Sequence, residues 1–238
     1  AHADFNDDQW TLRLRDMLDG STRTVRARTI VNATGPWIDE LNKQLEVTTE
    51  HRIAHSKGIH LVVPRIGSGE RVFAFFDEDE RLYYVIPMGD RSVIGTTDTR
   101  VDEPTTSVTD DDREFVLRQI HGRLDLPVPL TAADVISERC GVRPLVVDAS
   151  SNHEESDWLQ LSRKHEIEID RDRGVVSIFG GKLTDCLNVG EEVLDAVTQL
   201  GIAANDLDDS WFGEPPASEF TRFDARVRAN DTLPFRGS

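Results

Sequence analysis

The chain is short of lysine, cysteine and long apolar runs, and each shortage removes a class of explanation. Its lysines are Lys43, Lys57, Lys164 and Lys182; arginine supplies the rest of the 27 basic residues, set against 44 acidic ones for a net charge of -17. A surface this acidic repels nucleic acid, so no nucleic-acid partner is expected, and a phosphorylated small molecule needs a local basic pocket against the global field. Cysteine is limited to Cys140 and Cys186, with no CxxC pair, and two buried free thiols are expected. No His, Cys or carboxylate cluster has metal-ligand spacing, so no metal is expected. No stretch approaches the ~18–20 apolar residues that cross a bilayer. Ala1 to Gln9 is polar and acidic, without the basic start and apolar run of a signal peptide, and reads as a cut end. The glycine pattern G-x-G-x-x-G is also missing from the 238 residues.

What is present suffices for one or two domains, with 38% hydrophobic residues. Alternation over Trp10–Arg15 and again over Thr22–Val31, around the turn signal Asp19-Gly20, predicts a hairpin. Small residues follow in Asn32-Ala33-Thr34-Gly35-Pro36-Trp37, then a short helix over Trp37–Leu45 with Pro36 suited to its first turn. Gly58–Pro64, Val72–Phe76, Leu82–Pro87 and Ser92–Gly95 read as antiparallel strands, with an acidic turn at Asp77–Glu80. Thr109–Leu124 has helical spacing with Thr109 as N-cap. Ala132–Arg143 and Trp158–Ile169 read as strands joined by a polar loop over Asp148–Asp157. Gly174–Phe179 is a compact apolar strand. Thr184–Leu200 is an amphipathic helix whose apolar face carries Leu187, Val193, Leu194, Val197 and Leu200, ended by Gly201. The tail from Ala203 is rich in Asp, Pro and Ser, and is expected to be extended or partly disordered.

The segments that carry chemistry differ in force. Val175–Leu187 runs strand, Gly180-Gly181-Lys182, Thr184, helix: paired glycines admit close approach of a ligand, and a helix start directs amides and positive dipole at it. The spaced first glycine of a P-loop is absent, which argues against a nucleotide triphosphatase. In Gly141-Val142-Arg143-Pro144-Leu145, Pro144 biases Arg143 toward an extended backbone that can project a guanidinium for two-pronged recognition of phosphate or carboxylate; an ordinary surface ion pair is the equal alternative. His60, in Gly58-Ile59-His60-Leu61-Val62, is by spacing alone more often a satisfied core group than a base. Thr97 and Asp98, after the strand end Ile94-Gly95, suit a polar pocket or an ordinary turn.

Together V-N-A-T-G-P-W, G-I-H-L-V-V-P-R, V-I-P, I-G-T-T-D, G-V-R-P-L and S-I-F-G-G-K-L-T, in this order over roughly Arg28–Leu200, resemble the FAD-dependent glycerol-3-phosphate dehydrogenase family, within the D-amino-acid-oxidase-like flavoproteins. The resemblance implies an α+β fold: an antiparallel-sheet substrate-binding domain, residues 50–169, inserted into a partial FAD-binding domain, residues 1–49 and 170–203, with an extended tail over 204–238. It implies FAD near Ala33, Thr34 and Gly35 at the phosphates, and near Gly180, Gly181, Lys182, Leu183 and Thr184 at the isoalloxazine end. It makes His60, Arg143 and Lys182 catalytic, with Arg143, Thr97 and Asp98 contacting substrate. The implied reaction oxidises glycerol 3-phosphate to dihydroxyacetone phosphate, a hydride passing to the flavin while His60 takes the hydroxyl proton. Implied partners are a quinone or other electron acceptor, with peripheral attachment of the full-length protein, a cytoplasmic place at the inner face of the cell membrane, and room for a homodimer. Two departures stand out: the missing G-x-G-x-x-G unit, and Asp185-Cys186-Leu187 where the family continues with T-Y-R. They keep open a related FAD-dependent amine or 2-hydroxyacid oxidase, in which Arg143 binds a carboxylate, and a non-catalytic fragment.

Overall fold

The computed structural model describes residues 2–76, 81–150, 164–203 and 216–229. The residues up to Ile202 form one compact unit. It mixes helix and sheet, and three sheets are seen among the described residues.

The first sheet is an antiparallel meander of β1 (His2–Asn6), β2 (Gln9–Arg15) and β3 (Thr22–Ala27). The polar start is therefore a strand. Asp7 and Asp8 both take positive φ, 51° and 56°, the geometry of a two-residue turn that matches strand twist. The alternation over Thr22–Val31 does not continue as one strand. It breaks at Arg28-Thr29, and β4 (Ile30–Asn32) joins a different sheet. The break is fixed by Gly174: its carbonyl accepts from Ile30 N–H at 3.0 Å, and a Cβ there would lie 2.8 Å from the Arg28 carbonyl.

After β4 a 3-10 turn (Gly35–Trp37) leads into α1 (Ile38–Gln44). The six-stranded antiparallel sheet contains β5 (His51–Pro64), β6 (Phe73–Phe76), β7 (Leu82–Met88), β8 (Arg91–Gly95), β9 (Thr99–Val101) and β10 (Ser137–Asp148). Its spatial order is β10-β5-β8-β7-β6, with β9 also paired to β5. The edge position of β10 explains why Pro144 is tolerated inside it. One face carries Ile59, Leu61, Val63, Val85 and Ile94 and is covered by Val116, Leu117 and Ile120 of α2 (Asp110–His121). Thr109 caps α2 in a reciprocal box with Asp112. Residues 77–80, where the acidic turn was placed, and 151–163, which hold most of the polar loop and the start of the Trp158–Ile169 strand, lie outside the described residues.

The third sheet has the order β11-β12-β4, with β11 (Glu166–Asp170) antiparallel and β4 parallel to β12 (Val175–Phe179). α3 (Cys186–Gln199) follows a 3-10 turn (Leu183–Asp185), and Gly201 ends it at φ +75°. Leu187 and Leu194 on its apolar face are exposed, and so is Val31 on β4 at 41%. Ile38, Ile53, Val146 and Phe179 form one buried cluster, which ties α1, β5, β10 and β12 together. Both cysteines are free but exposed, contrary to the expectation of burial: Cys140 lies on the edge strand β10 and Cys186 at the open start of α3. The region beyond Ile202 includes α4 (Ala217–Ala229), helical where extended chain was expected; its alternating Glu, Arg and Phe give it an amphipathic pattern.

Candidate active site

Strand alternation sets the site. On the sheet face opposite α2, β5 presents Ser56, Gly58 and His60, and β10 presents Arg143, Gly141 and Arg139 directly opposite them. β8 and β7 continue the row from His60 with Gly95 and Tyr84. This face is built from glycines, so a ligand can lie against backbone. A Cβ on Gly58 would sit 2.1 Å from Arg143 Nη2 and 2.3 Å from Cζ: the guanidinium rests on the glycine. A Cβ on Gly95 would meet the Ile59 carbonyl at 2.7 Å and His60 Cδ2 at 2.9 Å.

The loop between β8 and β9 holds Arg143 in place. Thr96 Oγ1 accepts from Nη2 at 2.8 Å and the Thr97 carbonyl from Nη1 at 3.1 Å. Thr97 is 2% exposed. It accepts from Ile59 N–H at 3.0 Å and donates to the Lys57 carbonyl at 3.3 Å, replacing ladder bonds where the strand is interrupted. So Thr97 meets Arg143 through its backbone, and the neighbouring Thr96 supplies the hydroxyl. Asp98 accepts from the Ser56 hydroxyl at the Arg143 end of the same row. Beneath the loop, Lys57 and Asp112 form a buried ion pair at 2.6 Å. His60 is half-buried, and its pKa lies below the ordinary value because burial disfavours the cation and the Arg143 and Arg139 guanidiniums repel it.

A second group of residues gathers at the carboxyl ends of the parallel pair β4 and β12, the place where open α/β sheets take ligands. Ala33, Thr34 and Gly35 follow β4; Gly180, Gly181, Lys182, Leu183 and Thr184 follow β12. The first turn is anchored from behind. Buried Asn32 donates to the Ile38 carbonyl at 3.0 Å and to Asn42 Oδ1 at 2.7 Å, and accepts from the Thr34 hydroxyl at 2.7 Å. The second turn is anchored by contact: Gly180 has φ +65°, and a Cβ there would lie 2.5 Å from Val146 Cγ2 and 3.7 Å from the Pro144 carbonyl. That contact brings the Gly-Gly-Lys turn to the strand position next to Arg143. The structure thus joins Arg143, His60, Thr96, Thr97 and Asp98 in one cluster and the two glycine turns in another, with Gly180 as the link.

His165, buried beside Gly181, explains part of the Asp185 departure. Its Nδ1 lies 2.9 Å from Asp185 and its Nε2 3.0 Å from Glu192, so the two carboxylates tie α3 to the residue that leads into β11. Asn188 also donates to Asp185 at 2.6 Å.

The two turns fit an extended anionic cofactor with a planar end. Gly35 has φ +59° and open space where a Cβ would be, Ala33, Thr34, Lys182, Leu183 and Thr184 are exposed, and no side chain caps either 3-10 turn. Leu183, 91% exposed, offers an apolar surface there.

Comparison with known proteins agrees with this reading. The family model described as FAD dependent oxidoreductase matches residues 2–193. The chain is 35% identical over 188 residues to the aerobic glycerol-3-phosphate dehydrogenase of Bacillus subtilis, covering 77% of this chain and 32% of that protein. It is 33% identical over 189 residues to glycerol-3-phosphate dehydrogenase 2 of Mycobacterium tuberculosis, covering 79% of this chain and 31% of that one. The crystal structure of glycerol-3-phosphate dehydrogenase from Bacillus halodurans, complexed with FAD, superposes with a TM-score of 0.69 at 29% identity, over 99% of this chain and 46% of that one. Glycine oxidase from Geobacillus kaustophilus shares the fold at a TM-score of 0.51 and 16% identity. The chain spans about a third of the length of the curated relatives it matches.

Proposed function

Because the chain belongs to the FAD dependent oxidoreductase family, we propose that it is the substrate-face portion of a flavoenzyme that oxidises sn-glycerol 3-phosphate to dihydroxyacetone phosphate. The observation that carries the reading is the Arg143 guanidinium laid on Gly58 and fixed by Thr96 and Thr97, beside His60. In this reading the sheet of β5 to β10 is a substrate domain inserted between two pieces of a partial FAD domain. The parallel pairing of β4 with β12 supports that arrangement, and the pairing of β11 with β12 supports counting β11 with the FAD-domain piece.

Ala33, Thr34 and Gly35 would hold the FAD phosphates, and Gly180 to Thr184 the isoalloxazine end. When bound, FAD accepts the two electrons removed from the substrate. Arg143 binds the substrate anion by its fork of N–H donors. His60, kept neutral by burial and by its cationic neighbours, accepts the proton of the C2 hydroxyl at a ring nitrogen as the alcohol becomes a ketone. Lys182 adds positive charge at the flavin end. The implied partner for the electrons is a quinone or another acceptor. The edge of β4 and the exposed face of α3 are the surfaces against which the rest of the FAD domain packs.

The test is steady-state oxidation of glycerol 3-phosphate with a soluble dye acceptor, using the complete FAD-loaded protein. Formation of dihydroxyacetone phosphate that drops at least about ten-fold in kcat/KM in Arg143→Gln supports the reading. An unchanged rate in that variant removes it.

A further inference from the structure

Behind the Gly-Gly-Lys turn stands a buried histidine, His165, 5% exposed. A Cβ on Gly181 would lie 3.4 Å from the His165 Cβ, and one on Gly180 would lie 3.1 Å from the Lys164 carbonyl, so these two residues back both glycines of the turn. Carboxylates stand at both ring nitrogens: Asp185 at Nδ1, 2.9 Å away, and Glu192 at Nε2, 3.0 Å away. Ionised carboxylates only accept, and a neutral imidazole has one N–H to give. Two contacts of this length need two hydrogens. The cluster therefore holds one proton more than a neutral ring between two carboxylates, and that proton cancels one of their two charges.

Asp185 occupies the N-cap place of α3. Aspartate is among the best residues there, its carboxylate accepting from the N–H of the second or third helical residue. In this chain the side chain makes no such bond. One of its oxygens is taken by His165 and the other by the Asn188 side-chain amide at 2.6 Å. The 3-10 turn just before it is likewise uncapped by a side chain. The N–H groups that open α3 therefore keep their positive end free of a side-chain acceptor. An uncompensated aspartate at that place would oppose a negatively charged group brought to those amides. Asp185 stands where the family pattern has threonine, so the need to compensate it is peculiar to this chain.

We propose that His165 is a positioning residue for the cofactor: it draws the Asp185 carboxylate off the amides at the start of α3 and cancels its charge, so that the turn Gly180–Thr184 can receive the electron-accepting end of FAD. The inference rests on the proposed flavin function and goes beyond it, since neither His165 nor Asp185 is among the residues assigned there to the cofactor.

The complete protein is compared as wild type, His165→Gln, Asp185→Asn and the double variant. FAD affinity is read by flavin fluorescence, the flavin reduction potential by equilibration with a redox dye, and folding by Tm. His165→Gln leaves Asp185 charged and uncompensated. FAD binding should weaken about ten-fold, and the potential should fall, because reduction adds electrons beside a bare carboxylate. Asp185→Asn removes the charge itself and should hold FAD affinity within about two-fold of wild type or raise it. In the double variant no carboxylate at the cap needs cancelling, so affinity and potential should return close to the wild-type values. A plain tether between α3 and the chain before β11 gives the opposite result, with the double variant as impaired as His165→Gln. That result overturns the proposal, and so do an affinity and potential unchanged in His165→Gln. A ten-fold loss of FAD affinity in Asp185→Asn at wild-type Tm also overturns it, and decides the matter if His165→Gln does not fold. Wild-type protein that takes up no FAD removes the flavin function itself. The expected pattern in a protein that does not oxidise glycerol 3-phosphate leaves the role of His165 standing and removes the substrate assignment instead.

Discussion

Gly58→Ala separates stability from substrate binding. The added methyl would sit 2.1–2.3 Å from Nη2, Cζ and Nη1 of Arg143, so the guanidinium has to leave. Its two hydrogen bonds, to the Thr96 hydroxyl at 2.8 Å and the Thr97 carbonyl at 3.1 Å, are lost with it. Gly58 lies on a strand outside the left-handed region, so alanine brings no backbone strain and returns about 0.4–1 kcal/mol through the unfolded chain. The lost hydrogen bonds to a charged donor are worth about 1.5–3 kcal/mol, but a half-buried guanidinium recovers part of that by swinging to water. The net destabilisation is about 1 kcal/mol, a Tm shift of about 2–4 °C for a chain of this size. The effect on binding is larger, because a displaced Arg143 no longer meets the substrate anion: KM for glycerol 3-phosphate rises about 10–100-fold. Thermal unfolding and steady-state kinetics on the same preparation check both halves. A variant with near wild-type Tm and unchanged KM refutes the claim that Gly58 exists to seat Arg143.

Burial and the two arginines hold the His60 pKa below the ordinary 6.5. The unfolded histidine therefore binds its proton first as pH falls, so His60's contribution to stability is complete above about pH 6.5 and is lost as pH falls through the lower folded value. Arg143→Gln should move the His60 titration upward by NMR, and a downward or absent shift contradicts the placement. His60→Gln in the complete enzyme should lower turnover and abolish its dependence on that titration; full turnover across the pH range rules His60 out as the base. Asp112 is pushed up by burial but held on balance below the ordinary 3.8 by the Lys57 ammonium and the Thr109 N–H and hydroxyl. Its contribution is present above pH 3.8 and disappears as pH falls through the folded value. Asp112→Asn strands the buried Lys57 ammonium and should cost about 3–5 kcal/mol in urea unfolding; a loss under about 1 kcal/mol speaks against a structural pair. Gly180→Ala should cost about 1–2 kcal/mol from its left-handed backbone alone, with the Val146 contact adding to it, and unchanged stability contradicts the geometry of the Gly-Gly-Lys turn.

Much of this was legible in the sequence because the relevant signals were local. Thr109 announced a helix start and Gly201 its counterpart after α3, and apolar alternation gave β7 and β8 nearly to their ends but only the second half of β5, whose first half carries His51, Arg52, His55 and Lys57 among its apolar residues. Features that depend on contacts remote in the chain were not legible. The break between β3 and β4 is imposed by Gly174, some 145 positions on, and the strand β1 is made by pairing that its polar composition conceals. Motif reading put Thr97 in the pocket, yet the interruption between β8 and β9 turns its hydroxyl to the sheet and gives Thr96 the contact.

The central claim is tested most directly by the visible spectrum of the complete FAD-loaded protein, recorded anaerobically on addition of glycerol 3-phosphate and, separately, of glycine. Bleaching of the flavin band by glycerol 3-phosphate and not by glycine is the predicted result. A band untouched by glycerol 3-phosphate, or bleached by glycine instead, contradicts the assignment of this sheet face to a polyol phosphate.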